Sequence, residues 1–144
     1  MKYLVTGGAG FIGSNIVKKL VTRGDNVTVI DNLNTGKDEN LKSVRDKITF
    51  LKDTILNTDL LEKETEGIDG VFHQAALASV QDSFSKPEEY HNVNVNGTEN
   101  ILKLAEKNNF KVVYASSSSV YGNPERIPIK EEDSKNPINP NRIV

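Results

Sequence analysis

Short β-branched and apolar runs alternate along this chain with longer stretches of helical spacing. Residues 2–6, Lys-Tyr-Leu-Val-Thr, read as a short buried strand. Glycines follow, and then Phe11, Ile12, Ile16, Val17, Leu20 and Val21 recur at helical spacing up to Gly24. The run Asn-Val-Thr-Val-Ile-Asp at 26–31 predicts a second strand, 47–51 a weaker third, 70–73 a fourth and 111–116 a fifth. The longest helical stretch is predicted from Pro87, a favourable first helical residue after Ser85, to about Asn109, with Ile101, Leu104 and Ala105 on one face. Strands separated by helices pair in parallel through right-handed crossovers, so the pattern predicts an α/β, doubly wound, Rossmann-like sheet covered on both faces.

The alternation lapses after Gly122. Asn123-Pro124, Pro128, Lys130-Glu131-Glu132-Asp133, Pro137 and Pro140 make a polar segment punctuated by proline, which cannot donate to a central ladder. The predicted division is a sheet domain over 1–122 and a polar C-terminal segment over 123–144.

Composition narrows the chemistry. The 144 residues suffice for one domain with a core of its own. The absence of cysteine removes disulfides and thiolate metal sites, and His73 and His91 alone are too few for zinc, so no metal is expected. The formal charge of −2, with Lys and Arg dispersed, offers no basic face to nucleic acid or to an anionic membrane; a small-molecule partner is expected. The apolar start of the chain breaks into Thr6-Gly7-Gly8 before a signal-peptide core can form, which predicts a cytoplasmic protein.

Between the first strand and the first helix, backbone N–H groups and the positive helix end can hold a diphosphate. Three glycines there fit three jobs: a sharp turn, close approach of the pyrophosphate, and close packing of helix on strand. Gly7, Gly10 and Gly13 are the candidates. A glycine triplet alone is weak, because such turns abound. It gains weight from Asp31, at the end of the second strand about twenty residues on, where a carboxylate accepts hydrogen bonds from ribose hydroxyls and repels a 2′-phosphate. With Asn32 and no arginine beside it, Asp31 favours NAD over NADP. His73-Gln74-Ala75-Ala76 closes the fourth strand at its carboxyl end, the edge where open α/β sheets bind ligands; His73 itself reads as a hydrogen-bonded structural histidine.

Taken in order, Thr-Gly-Gly-Ala-Gly-Phe-Ile-Gly-Ser at 6–14, Asp-Asn-Leu at 31–33, His-Gln-Ala-Ala at 73–76 and Ser-Ser-Ser-Ser-Val-Tyr-Gly at 116–122 resemble the NAD-dependent epimerase/dehydratase family of extended short-chain dehydrogenases/reductases, its UDP-glucose and UDP-N-acetylglucosamine 4-epimerases above all. The resemblance implies the N-terminal part of that fold. It places Phe11 and Ile12 against the diphosphate, Asp53 and Thr54 near the adenine, and Gln74, Ala75, Ala76 and Leu77 along the nicotinamide ribose, with Asn94 a nearby polar contact. It makes Ser117 the hydroxyl that hydrogen-bonds the reacting sugar oxygen, with Ser118 the second choice, and leaves Tyr121 a structural role.

The reaction so implied is transient oxidation and re-reduction at C4 of a UDP-sugar through NAD, in a dimeric enzyme. Its base is a tyrosine, assisted by a lysine four residues on. In the family that tyrosine follows a proline; here Pro140 is followed by Asn141, which forms no phenolate, and the lysine would fall past Val144. The expectation is a chain truncated before the catalytic pair, binding NAD without turning over by itself. A non-catalytic NAD-sensing or partner-binding module is the alternative, and completion by a second chain a third. Which nucleotide sugar, and whether epimerase or dehydratase, stay open.

Overall fold

Strands β1 (Lys2–Thr6), β2 (Asn26–Ile30), β3 (Thr49–Leu51), β4 (Gly70–His73) and β5 (Lys111–Tyr114) form one sheet of order β3-β2-β1-β4-β5 in the computed structural model, which describes residues 1–138. Every pairing is parallel. From β1 the chain winds outward to β2 and β3, then returns to β4 on the other side of β1. That reversal opens a crevice at the carboxyl ends of β1 and β4.

Side chains alternate across the sheet, so Val5, Val27 and Val29 face one way and Leu4, Ile30 and Val71 the other. Helix α1 (Phe11–Thr22) buries Val17 and Leu20 on the first face, helped by Leu41 and Val44 from the 3₁₀ region that joins β2 to β3. Helix α2 (Thr58–Glu64) brings Leu61 to the second face. Helices α3 (Val80–Ser85) and α4 (Pro87–His91) follow β4, and a π-helical turn at Asn92–Asn96 leads into α5 (Gly97–Asn108), which adds Ile101 to the second face. The predicted long helix is therefore real from Pro87 onward but carries an extra residue in mid-course. It ends at Asn109, whose left-handed backbone (φ 54°) closes it.

Two strand ends differ from expectation for identifiable reasons. Lys47 is drawn into a 3₁₀ turn, so β3 starts at Thr49. Strand β5 stops at Tyr114, not 116, because the serines beyond bond their own backbone: the Ser117 hydroxyl accepts from the Ser119 N–H and caps a 3₁₀ turn over Ser118–Tyr121. The polar segment then folds back, laying the Asn136 carbonyl over Gly122, where a Cβ would sit 1.9 Å from that oxygen. Among the described residues no helix is long and apolar enough to cross a membrane.

The Asn57 side chain caps α2 by accepting from the Leu60 N–H, and its amide donates to Asp53. Asn57→Ala is expected to lower stability by about 1 kcal/mol, the usual cost of a lost N-cap, as read by thermal denaturation.

Candidate functional site

The carboxyl ends of β1, β2 and β4 deliver three backbone segments to one open cleft. The first is the glycine turn. Gly7 bends out of β1 with φ +65°, and a Cβ there would lie 2.7 Å from the Ala75 nitrogen, so glycine is what lets this turn rest against the β4 exit. Gly10 caps α1 with no side-chain acceptor, and the first turn of α1 holds no acidic residue, so no side chain of the helix itself satisfies its first N–H groups or its positive end. Gly13 is buried behind them, its position for a Cβ 2.2 Å from the Gly7 carbonyl oxygen.

The second segment starts at Asp31. Its carboxylate is 8% exposed and is held from both sides: Oδ2 accepts from the Ala9 N–H (2.9 Å) and Oδ1 from the Leu33 N–H (2.8 Å). Each oxygen keeps capacity for a further donor. The loop beyond it curls so that Gly36 lies over the carboxylate, with a Cβ position 2.7 Å from Oδ1, and Lys37 N–H and the Asn40 amide both bond the Ala9 carbonyl. At the end of β3, Asp53 accepts from the Thr54 N–H and from the Asn57 amide.

The third segment, 74–77, crosses the end of β4 between two polar clamps. The Thr6 hydroxyl accepts from the N–H groups of Gln74 and Ala75, both at 3.2 Å. At the other end the Leu77 N–H donates to Asn94 Oδ1 (2.8 Å), and Asn94 Nδ2 donates to the Leu77 carbonyl (3.0 Å). Behind the segment, His73 is 1% exposed, bonded by Thr6 on Nδ1 (2.7 Å) and Thr98 on Nε2 (3.0 Å), and stacked on Tyr114. Burial pushes its pKa down to about 4, so the ring is neutral near pH 7. The same burial raises the Tyr114 phenol.

Gly7, Gly10, Asp31, Asn32, Asp53, Thr54 and residues 74–77 thus share one wall system. The other candidates stand elsewhere. Phe11 and Ile12 turn their side chains outward, 84% and 60% exposed, onto a separate apolar groove with Ile16 and Phe72, so no side chain of theirs lines the cleft. They sit on the outer side of α1 because the glycine-lined inner side leaves no room. Gly13 and Asn94 act from behind the wall, Asn94 buried where the π turn rotates it inward. Ser117 lies at the exit of β5, its hydroxyl engaged with Ser119 and off the cleft lining. Asn141 falls outside the described residues.

Asn34, Thr35, Gly36, Ile55 and Val93 also line the cleft and were not singled out from the sequence. The loop at 34–36 had a usable signal, a small polar run directly after Asp31. Ile55 and Val93 had none, because only the tertiary arrangement brings them there.

The model of the NAD dependent epimerase/dehydratase family matches residues 3–143. The chain belongs to this family. A UDP-glucose 4-epimerase of Lactobacillus helveticus is 43% identical over 143 residues, covering 97% of this chain and 42% of the relative. Among solved structures, a UDP-N-acetylglucosamine 4-epimerase from Methanobrevibacter ruminantium M1, in complex with UDP-N-acetylmuramic acid, superposes with a TM-score of 0.91 at 41% identity, covering 97% of this chain and 45% of that one. A UDP-glucose 4-epimerase from Brucella ovis in complex with NAD gives 0.86 at 37% identity, with 97% and 43% covered. The epimerase/dehydratase chain described here therefore spans less than half the length of these relatives.

Proposed function

We propose that the cleft binds NAD and that the chain is the cofactor-binding portion of a UDP-sugar 4-epimerase-like protein. One observation carries the reading: the uncapped N-terminus of α1 and the Asp31 carboxylate are tied together through Ala9, so an anion-binding end and a hydroxyl-binding carboxylate stand at a fixed separation in one cleft. A dinucleotide presents a diphosphate and a ribose diol in that relation. The residues fit the group also in what they lack, since the wall at Gly7 and Gly10 carries no Cβ. The NAD named for the Brucella ovis relative supports the same choice.

In this reading the N–H groups at 11–13 hold the diphosphate, the Gly10 N–H being spent on the Gly7 carbonyl (3.1 Å), and Asp31 receives the ribose hydroxyls, with Asn32 beside it. Asp53 and Thr54 flank the adenine, and residues 74–77, braced by Asn94, shape the nicotinamide side. Bound NAD supplies a reversible hydride acceptor for the C4 position of the sugar. Ser117 would meet the reacting sugar oxygen once its hydroxyl turns from Ser119. Position 141 holds an amide where the family keeps a phenol, so this sequence places no base there and the 144 residues are proposed to bind NAD without catalysing epimerisation alone. Residues 1–122 are proposed as the cofactor unit, with 123–144 a polar C-terminal segment.

Calorimetric titration with NAD and NADP tests this. Asp31→Asn is the better probe than alanine, because alanine would also release Ala9 and Leu33. NAD is expected to bind at least about tenfold more tightly than NADP, and Asp31→Asn to shrink that ratio to about threefold or less by removing the charge that repels a 2′-phosphate. Equal affinity for both nucleotides, or for neither, would sink the reading.

A further inference from the structure

The buried polar groups behind the cleft form a chain whose proton order can be worked out. The Thr98 hydroxyl donates to the Asn94 carbonyl at 2.6 Å, so toward His73 Nε2 it can only accept. Nε2 therefore carries the proton and Nδ1 is bare. Nδ1 accepts from the Thr6 hydroxyl at 2.7 Å, and that hydroxyl receives the Ala75 N–H and shares the Gln74 N–H with the Thr6 carbonyl (3.1 Å). The opposite tautomer would set a bare Nε2 against a lone pair of the Thr98 hydroxyl, whose one proton is already given to the Asn94 carbonyl. One direction then runs throughout: Ala75 N–H to Thr6, Thr6 to His73, His73 to Thr98, Thr98 to the Asn94 carbonyl. Bonds in such a head-to-tail series polarise one another in a low-dielectric interior. The Asn94 side chain completes the circuit at Leu77.

We infer that His73, as the neutral Nε2–H tautomer, is a positioning residue that couples the Thr6 and Asn94 clamps and so fixes the 74–77 wall of the cleft. Its relevance to cofactor binding rests on the NAD reading above. It does not touch the cofactor; it decides where the four residues that do are held. A merely space-filling histidine would need neither tautomer nor both clamps.

Two measurements on the 144-residue chain test this without any nucleotide. Nitrogen NMR of the imidazole should report protonated Nε2 and unprotonated Nδ1; the reverse overturns the inference. Amide hydrogen exchange should then separate the clamps. In His73→Leu both Ala75 and Leu77 are expected to exchange roughly five- to tenfold faster relative to Val29 in β2, the scale of one lost hydrogen bond. His73→Asn, with an acceptor near the Nδ1 position, should keep Ala75 slow and release Leu77. His73→Gln, with a donor near the Nε2 position, should do the opposite. Uniform acceleration at Ala75, Leu77 and Val29 would mean general loosening and overturn the positioning role. If His73→Leu fails to fold, the tautomer and the two amide variants decide. NAD affinity, read alongside, should fall about tenfold in His73→Leu and less in the amide variants. A wild-type chain that binds no NAD yet shows the predicted exchange pattern would overturn the NAD reading and leave the positioning of 74–77 supported.

Discussion

Gly13→Ala is expected to abolish measurable NAD binding and to lower stability by roughly 3 kcal/mol, the upper end of what a forced methyl in packed backbone costs. The added Cβ would stand 2.2 Å from the Gly7 carbonyl oxygen and 2.8 Å from the Gly8 Cα. Both obstacles are backbone, so no side chain can swing aside. Relief requires α1 to move off the glycine turn, which separates the helix N-terminus from Gly7 and, through Gly7, from Ala75. Gly24→Ala is the control. Gly24 has φ +83° but nothing within 4 Å of its Cβ position, so it isolates the strain of a left-handed backbone, about 1 kcal/mol, from any clash. Denaturant unfolding and nucleotide titration of the two variants should show stability lost in both and affinity lost only at Gly13. Retention of affinity within about twofold in Gly13→Ala would mean that close helix packing does not shape the site.

Acid should reveal the second large effect. His73 has an ordinary pKa of 6.5 in the unfolded chain and about 4 when buried. Between those values the unfolded state binds the extra proton, so stability is complete above about pH 6.5, falls as the pH drops toward 4, and levels off below. The 1% exposure of the ring justifies converting the shift to about 3 kcal/mol. The ring packed against it, Tyr114, is held neutral by the burial that raises its phenol, and the other two partners are uncharged threonines. Carboxylates titrate in the same window, so the measurement is the difference in unfolding free energy between wild type and His73→Gln across pH 4–7. That difference should narrow by about 3 kcal/mol toward the acid end. Parallel curves would refute the assignment of the effect to His73.

Much of this architecture was legible in the residue pattern. Strands buried on both faces read as continuous β-branched runs, and Asn-Val-Thr-Val-Ile at β2 is a clear case. The glycine turn and Asp31 were legible for the same reason, since each is a local device with a fixed neighbour in sequence. What escaped was whatever depends on two segments meeting. That Asp31 braces the glycine turn as well as facing the cleft follows from Ala9, a residue 22 positions earlier. The outward turn of Phe11 and Ile12 follows from which side of α1 the glycines occupy. Asn94 drew notice only through family likeness, and its grip on Leu77 depends on a turn type that no propensity scale marks.

That π turn makes chain length, and not only residue identity, a component of the site. Each residue advances a helix by about 100°. The wider π turn at Asn92–Asn96 absorbs one extra residue between α4, which buries Tyr90, and α5, which buries Ile101. Deleting one residue of this turn would let it close as regular α-helix, leaving Tyr90 and Ile101 on their faces but removing the bulge that brings Asn94 to Leu77. Substitutions in this stretch act one side chain at a time, whereas a one-residue deletion would remove the bulge and with it both bonds between Asn94 and Leu77 at once.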